Sequence, residues 1–159
     1  MLNWIKFITV FLIALTTVIV VTVFYNANKP LATMTDNASE AAINSGQIAS
    51  VDTVQPYNGT ESYVTVFGLD DDGEKIAVFV DGKSEEDFKT VKVADGITAD
   101  EAVETVKKEL AVEKVLHVSL GIEEAGPVWE VAFKSENDKL NYVYVHFESG
   151  QWWKRILNL

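Results

Sequence analysis

A chain of 159 residues with no cysteine and a formal charge of -11 has room for one ordinary domain or two very small ones. All 24 acidic residues and all but one of the 13 basic ones lie beyond position 25, so that stretch carries -12; such a body is repelled by nucleic-acid phosphates and anionic headgroups, and no nucleic-acid partner is expected. The missing cysteine rules out a disulfide framework, a thiolate metal site, a cysteine nucleophile and a lipidated cysteine, and leaves histidine chemistry only His117 and His146.

Phe7 to Tyr25 carries no charge and consists mostly of Leu, Ile, Val and Phe. As a helix it spans about 28 Å, close to the hydrocarbon core of a bilayer. Its apolarity all round argues against a buried core helix. The run also exceeds the apolar region of a signal peptide, and no small-x-small site follows cleanly within Asn26 to Ala32, so a retained anchor is favoured over a cleaved leader. Lys6 on the short side favours a cytoplasmic N-terminus and an extracytoplasmic body at the cell membrane. The anchor and its stub are assigned to residues 1–29, the first unit of the body to 30–94 and the second to 95–159.

Asn26 to Pro30 is expected to break the membrane helix, because proline disfavours helix in the residue before it. Leu31, Met34, Ala38, Ala41 and Ser45 then form a narrow stripe at helical spacing that ends near Gly46. A strand follows around Ile48 to Tyr57, and Asn58-Gly59 suits a type I′ hairpin turn. Tyr63 to Phe67 and Glu74 to Val80 are the next strands, joined by Asp70-Asp71-Asp72-Gly73. That aspartate run lacks the ligand spacing of a calcium loop, so it reads as a solvated turn. Asp81 to Glu86 is a polar loop, and Phe88, Val91 and Val93 mark an edge strand before Asp95-Gly96.

Thr98-Ala99-Asp100-Glu101 is a capping box. It opens a helix with Ala99, Ala102, Val103, Val106 and Leu110 as its buried stripe, and Glu104 is set to pair with Lys108. In the next strand Leu116, Val118, Leu120 and Ile122 share a face opposite Val115, His117 and Ser119. His117 therefore lies on the non-core face, where nothing in the sequence supplies a base or nucleophile beside it. The hairpin from Val128 alternates strictly: Trp129, Val131 and Phe133 on one strand, Val143, Val145 and Phe147 on the other, around Ser135-Glu136-Asn137-Asp138. A last strand covers Trp152 to Leu157 after Ser149-Gly150.

A shift of 65 residues aligns Tyr63–Asp81 with Val128–His146 without a gap and carries the helix near Met34–Ser45 onto Ala99–Leu110. Helix, hairpin and turn agree, which makes the body a duplication. Each copy is small enough to have a marginal core, so the two are expected to pack together.

Ile97 to Val103, Pro127 to Val131, Tyr142 to Val145 and Glu148 to Trp152 resemble the helix, strands and closing turn of the PepSY domain. His146-Phe147 stands where an aspartate is common, so ligand details from that spot do not carry over. Lys29-Pro30, Tyr57-Asn58-Gly59 and the aromatic-rich end from Trp152 to Leu159 extend the likeness, and the whole chain resembles the YpmB/TseB-like group of Firmicutes. The resemblance implies an α+β fold: a transmembrane helix, then two tandem cystatin-like units, each a helix on a small antiparallel sheet. It also implies a non-enzymatic regulator of cell-wall elongation acting on a class B penicillin-binding protein. An inhibitor or regulator of a secreted or membrane peptidase is the alternative.

Tyr142, Tyr144 and His146 share the strand face opposite the core valines, and Trp152 and Lys154 are expected to extend it into a partner-binding surface. The competing reading covers that face with the first unit. No Walker loop, GxGxxG, HExxH or GxSxG is present. Glu123, Glu124 and the Asp70–Asp72 cluster fall on turns, where solvation is the default. No catalytic, cofactor-binding or metal site is expected.

Overall fold

The computed structural model describes residues 2–81 and 88–159. The chain divides into two compact units, Met1–Met34 and Thr35–Leu159. Helix α1, Leu2–Asn44, begins in the first of these. From Asn3 to Met34 every side chain described is exposed. An apolar helix with no protein around it suits a lipid environment. Thr9 and Thr17 turn their hydroxyls back onto the carbonyls of Ile5 and Ile13, each at 2.9 Å, so neither presents an unpaired donor to hydrocarbon. Trp4 lies near one end of the apolar run and Tyr25 at the other, the positions favoured by interfacial aromatics.

The expected break at Pro30 does not occur: the proline lies inside α1. It removes one amide donor, the one that would serve the Asn26 carbonyl. Asn26 and Lys29 are exposed, so water can serve a freed carbonyl there, and the Thr33 hydroxyl donates to the Lys29 carbonyl at 3.0 Å. The helix stops at Gly46, whose φ of +71° is the left-handed conformation of a C-terminal cap.

Thr35–Leu159 holds two four-stranded antiparallel meanders. The first comprises β1 (Ser50–Asn58), β2 (Ser62–Leu69), β3 (Lys75–Asp81) and β4 (Phe88–Lys92). The polar loop expected to Glu86 lies, beyond Asp81, outside the described residues. A 3-10 turn at Val93–Asp95 leads to α2, Ala99–Glu109, and then to β5 (Lys114–Glu123), β6 (Gly126–Lys134), β7 (Leu140–His146) and β8 (Trp152–Ile156). The register bears out the duplication. Tyr63 faces Asp81 and Val66 faces Val78; 65 residues later, Val128 faces His146 and Val131 faces Val143.

Each sheet carries its helix on one face. Ala38 and Ala42 of α1 pack on Val64, Val66, Ile76, Val78 and Val80, small residues that let the backbone come close. Ala102 and Val106 of α2 belong with Val131, Phe133, Val143, Val145 and Phe147 to the larger core. The capping box forms, with Thr98 Oγ1 accepting from the Glu101 amide and the Glu101 carboxylate accepting from the Thr98 amide. Glu104 pairs with Lys107 at 3.0 Å in place of the expected Lys108. A bulge between Val115 and His117 turns Val115 toward the core and leaves Leu116 exposed, against the alternation expected there.

Candidate functional site

The face of the second sheet away from α2 is built by alternation. β5 contributes His117, Ser119, Gly121 and Glu123; Glu130 of β6 lies between Ser119 and Tyr144 in the register. Tyr142 and Tyr144 come from β7, and Lys154 of β8 is opposite Tyr144. Edge strand β1 of the first sheet borders this face with Pro56 and Asn58, and between them lies an open groove of about 350 Å³.

Glu130 is the centre of the groove. It is only 6% exposed, and a buried carboxylate needs donors to offset its lost hydration. His117 Nε2 lies 2.9 Å from its Oε1, and the Tyr144 phenol is close enough to feel the carboxylate. Burial, then the interaction with Glu130, push the Tyr144 phenol above its ordinary range. The His117 ring meets Tyr142 edge-on at 6.3 Å. His117 thus has a carboxylate partner that sequence reading missed, although the alternation of β6 already put Glu130 on this face.

A second buried carboxylate, Glu123, closes one end. It is 7% exposed, not solvated as its place near a turn suggested. Tyr57 Oη donates to its Oε1 at 2.7 Å, Thr60 N to the same oxygen at 3.0 Å, and Thr60 Oγ1 to Oε2 at 2.5 Å. Burial works to raise the Glu123 carboxyl, but the bonds from Thr60 and Tyr57, with Lys154 nearby, hold it below the usual carboxylate range. Burial and then the Glu123 bond push the Tyr57 phenol far up.

The same contact explains the turn at Asn58-Gly59. Asn58 pairs with Ser62, giving a three-residue loop and not the expected two-residue type I′ turn. Gly59 is needed for room: a Cβ there would stand 1.9 Å from Glu123 Oε1. Gly121 likewise makes way for the Tyr57 ring, which a Cβ would meet at 2.2 Å.

The structure brings Tyr142, Tyr144 and Lys154 together and separates Trp152 from them. Tyr144 is nearly buried, with Trp153 edge-on at 6.4 Å. The Lys154 ammonium lies 5.6 Å from the Tyr144 ring centre. His146 is half-buried at the end of β7, opposite Val128. A bulge shifts the β7–β8 register after Tyr144, so that Val145 faces Trp152 and Trp152 falls on the α2 side. There its indole donates to Glu109 at 3.1 Å under the Arg155 guanidinium. Trp153 takes the place on the open face that period-2 reading gives to Trp152.

Chemically the face presents a buried carboxylate ringed by hydroxyl, imidazole and aromatic groups. Ser119 sits beside Glu130, but among the described residues no hydrogen bond joins its hydroxyl to His117, so the nucleophile–base contact of acyl transfer is not made. At the aspartate turn, Asp70 Oδ1 accepts from the Asp72 and Glu74 amides, the role of a turn carboxylate.

Two family models match the chain. Residues 37–81 match the cell wall elongation regulator TseB-like domain, and residues 96–151 match the peptidase propeptide and YPEB domain, PepSY. Over 109 residues, 69% of this chain and 68% of the relative, it is 30% identical to the probable cell wall elongation regulator TseB of Bacillus subtilis (strain 168). The chain belongs to the TseB-like family. Among solved structures, the YpmB protein from Bacillus subtilis superposes with a TM-score of 0.66 at 30% identity, covering 74% of this chain and 95% of that one. In this TseB-like protein the first sheet carries the TseB-like match and the second the PepSY match, so the groove lies on the PepSY half.

Proposed function

We propose that this protein is a non-enzymatic regulator of cell-wall elongation that binds a class B penicillin-binding protein outside the membrane. Residues 1–29 are its cytoplasmic stub and single-pass anchor, and residues 30–94 and 95–159 its two extracytoplasmic units. The partner seats on the open face of the second sheet, on Tyr142, Tyr144, His146 and Lys154 together with Glu130 and His117. Trp152 would enlarge this surface for a partner that wraps round β8. The observation that carries the reading is the groove itself: a polar and aromatic sheet face that the first unit borders without filling. The relative's name as a cell wall elongation regulator gives the process.

The test is crosslinking in cells from a photoreactive residue at Tyr142, followed by mass spectrometry of the captured membrane fraction. Capture of a class B penicillin-binding protein, lost when Lys154 and His146 are both changed to glutamate, is expected. A crosslink confined to this chain's own β1 would mean the face is internal packing, and the reading would fall. The PepSY match, described by its peptidase-propeptide members, keeps a second reading in play: capture of a peptidase would make the chain its inhibitor.

A further inference from the structure

From the residues around Glu130 we infer that the groove takes a cationic side chain, a lysine or arginine projected by the protein partner. This deepens the proposed function and rests on its assignment of the open sheet face as the partner surface.

Buried carboxylates are costly unless paired. Glu130 and Glu123 both lie on this face and both are more than nine-tenths buried. Glu123 is fully engaged, with three donors from Tyr57 and Thr60 and Lys154 acting on it. Glu130 is not. A carboxylate offers about four acceptor sites, and Glu130 receives His117, with the Tyr144 phenol close by. Among the described residues it has no ion pair with a lysine or arginine. Its free acceptor capacity opens into a groove walled by tyrosine rings, which is the combination of charge and π-face that holds a guanidinium or ammonium.

The face already holds one such group. The Lys154 ammonium stands 5.6 Å from the Tyr144 ring centre and 5.8 Å from that of Trp153, with no carboxylate ion pair among the described residues. The aromatic rim therefore accommodates a cation without a salt bridge, and the deeper carboxylate is left for an incoming one. Two buried carboxylates against one lysine, in a chain of net charge -11, also steer a basic segment toward the groove.

The experiment is an NMR titration of the full chain in detergent micelles. The probe is the capped pentapeptide Ala-Ala-Arg-Ala-Ala, compared with the same peptide carrying neutral citrulline for arginine. The arginine peptide is expected to move the Tyr142, His117 and Trp153 resonances saturably. The citrulline peptide should bind at least about tenfold more weakly, as when a charge-assisted bond to a buried carboxylate is absent. Glu130→Gln should erase that preference. Equal binding of the two peptides, no saturable shift, shifts on another face, or a preference that survives Glu130→Gln would each overturn the inference. If Glu130→Gln does not fold, the wild-type peptide pair decides alone. The titration needs no penicillin-binding protein, so failed capture in cells sinks the proposed function and leaves this result standing on its own.

Discussion

Phe79 and Tyr144 hold the same place in two copies of one unit, yet their surroundings differ. On the face away from the helix, Thr65, Ala77 and Phe79 of the first sheet are fully buried. Their counterparts 65 residues on are Glu130, Tyr142 and Tyr144, which line a groove. The difference follows from what lies on each face. The Thr65 hydroxyl donates to the Leu120 carbonyl at 2.6 Å, and Phe67 stacks on Trp129 at 6.4 Å, so the second unit covers the first. Among the described residues nothing comparable covers the open face of the second sheet. Stacked repeats bury the faces between them and leave the terminal one to be capped or used. Here that face carries a carboxylate, an imidazole and two phenols.

The sharpest way to break this contrast is to cut both equivalents. Phe79→Ala should cost about 3–5 kcal/mol, the range for removing a buried ring. Tyr144→Phe, which keeps the ring and loses only the hydroxyl near Glu130, should cost about 1 kcal/mol. Urea unfolding followed by circular dichroism reads both, and equal costs would mean the two faces are alike. Gly59→Ala comes next, at about 1–3 kcal/mol, because the new methyl must displace Glu123 or Tyr57. Its melting curve should stay a single transition if the two sheets unfold together. A Gly59→Ala protein as stable as the wild type would remove the crowding assigned to that turn.

A pH-dependent effect sharpens the contrast between the two buried carboxylates. Glu123→Gln should destabilise by about 1–2 kcal/mol at neutral pH, through loss of charge-assisted bonds. The Glu123 carboxyl is held below its ordinary range in the folded chain. Its contribution is therefore complete above the unfolded value of about 4.3 and fades as pH falls through the lower folded value. The gap between wild type and variant should shrink between pH 5 and pH 3, taken as roughly one unit either side of that unfolded value. A gap that widened on acidification would reverse the sign and refute the assignment.

Much of this fold was legible because the second copy repeats the first. The alternation through Trp129 and Val131, and the 65-residue match, carry register and face together, since a strand's period of two leaves no third option. Bulges are where that reasoning fails. One extra residue in β5 exposes Leu116, and another in β8 exchanges Trp152 for Trp153; neither has a local signature in the chain. Pro30 does not end α1, because an exposed helix loses only one bond to it. Glu130 could have been found by carrying the alternation of β6 across to Tyr144. The Tyr57–Glu123 bond could not, since it joins residues 66 apart across two sheets.

That last bond has a bearing on how the chain is made. The loop closing the first hairpin takes its acceptor from the far end of β5, so a ribosome delivers Tyr57 and Thr60 well before Glu123 follows. Until then the loop's amide and hydroxyls have only water to bond, and the buried face of the first sheet lies open. The earlier-made half must wait for the later one, and this order of arrival makes the nascent protein most vulnerable to proteases midway through its synthesis.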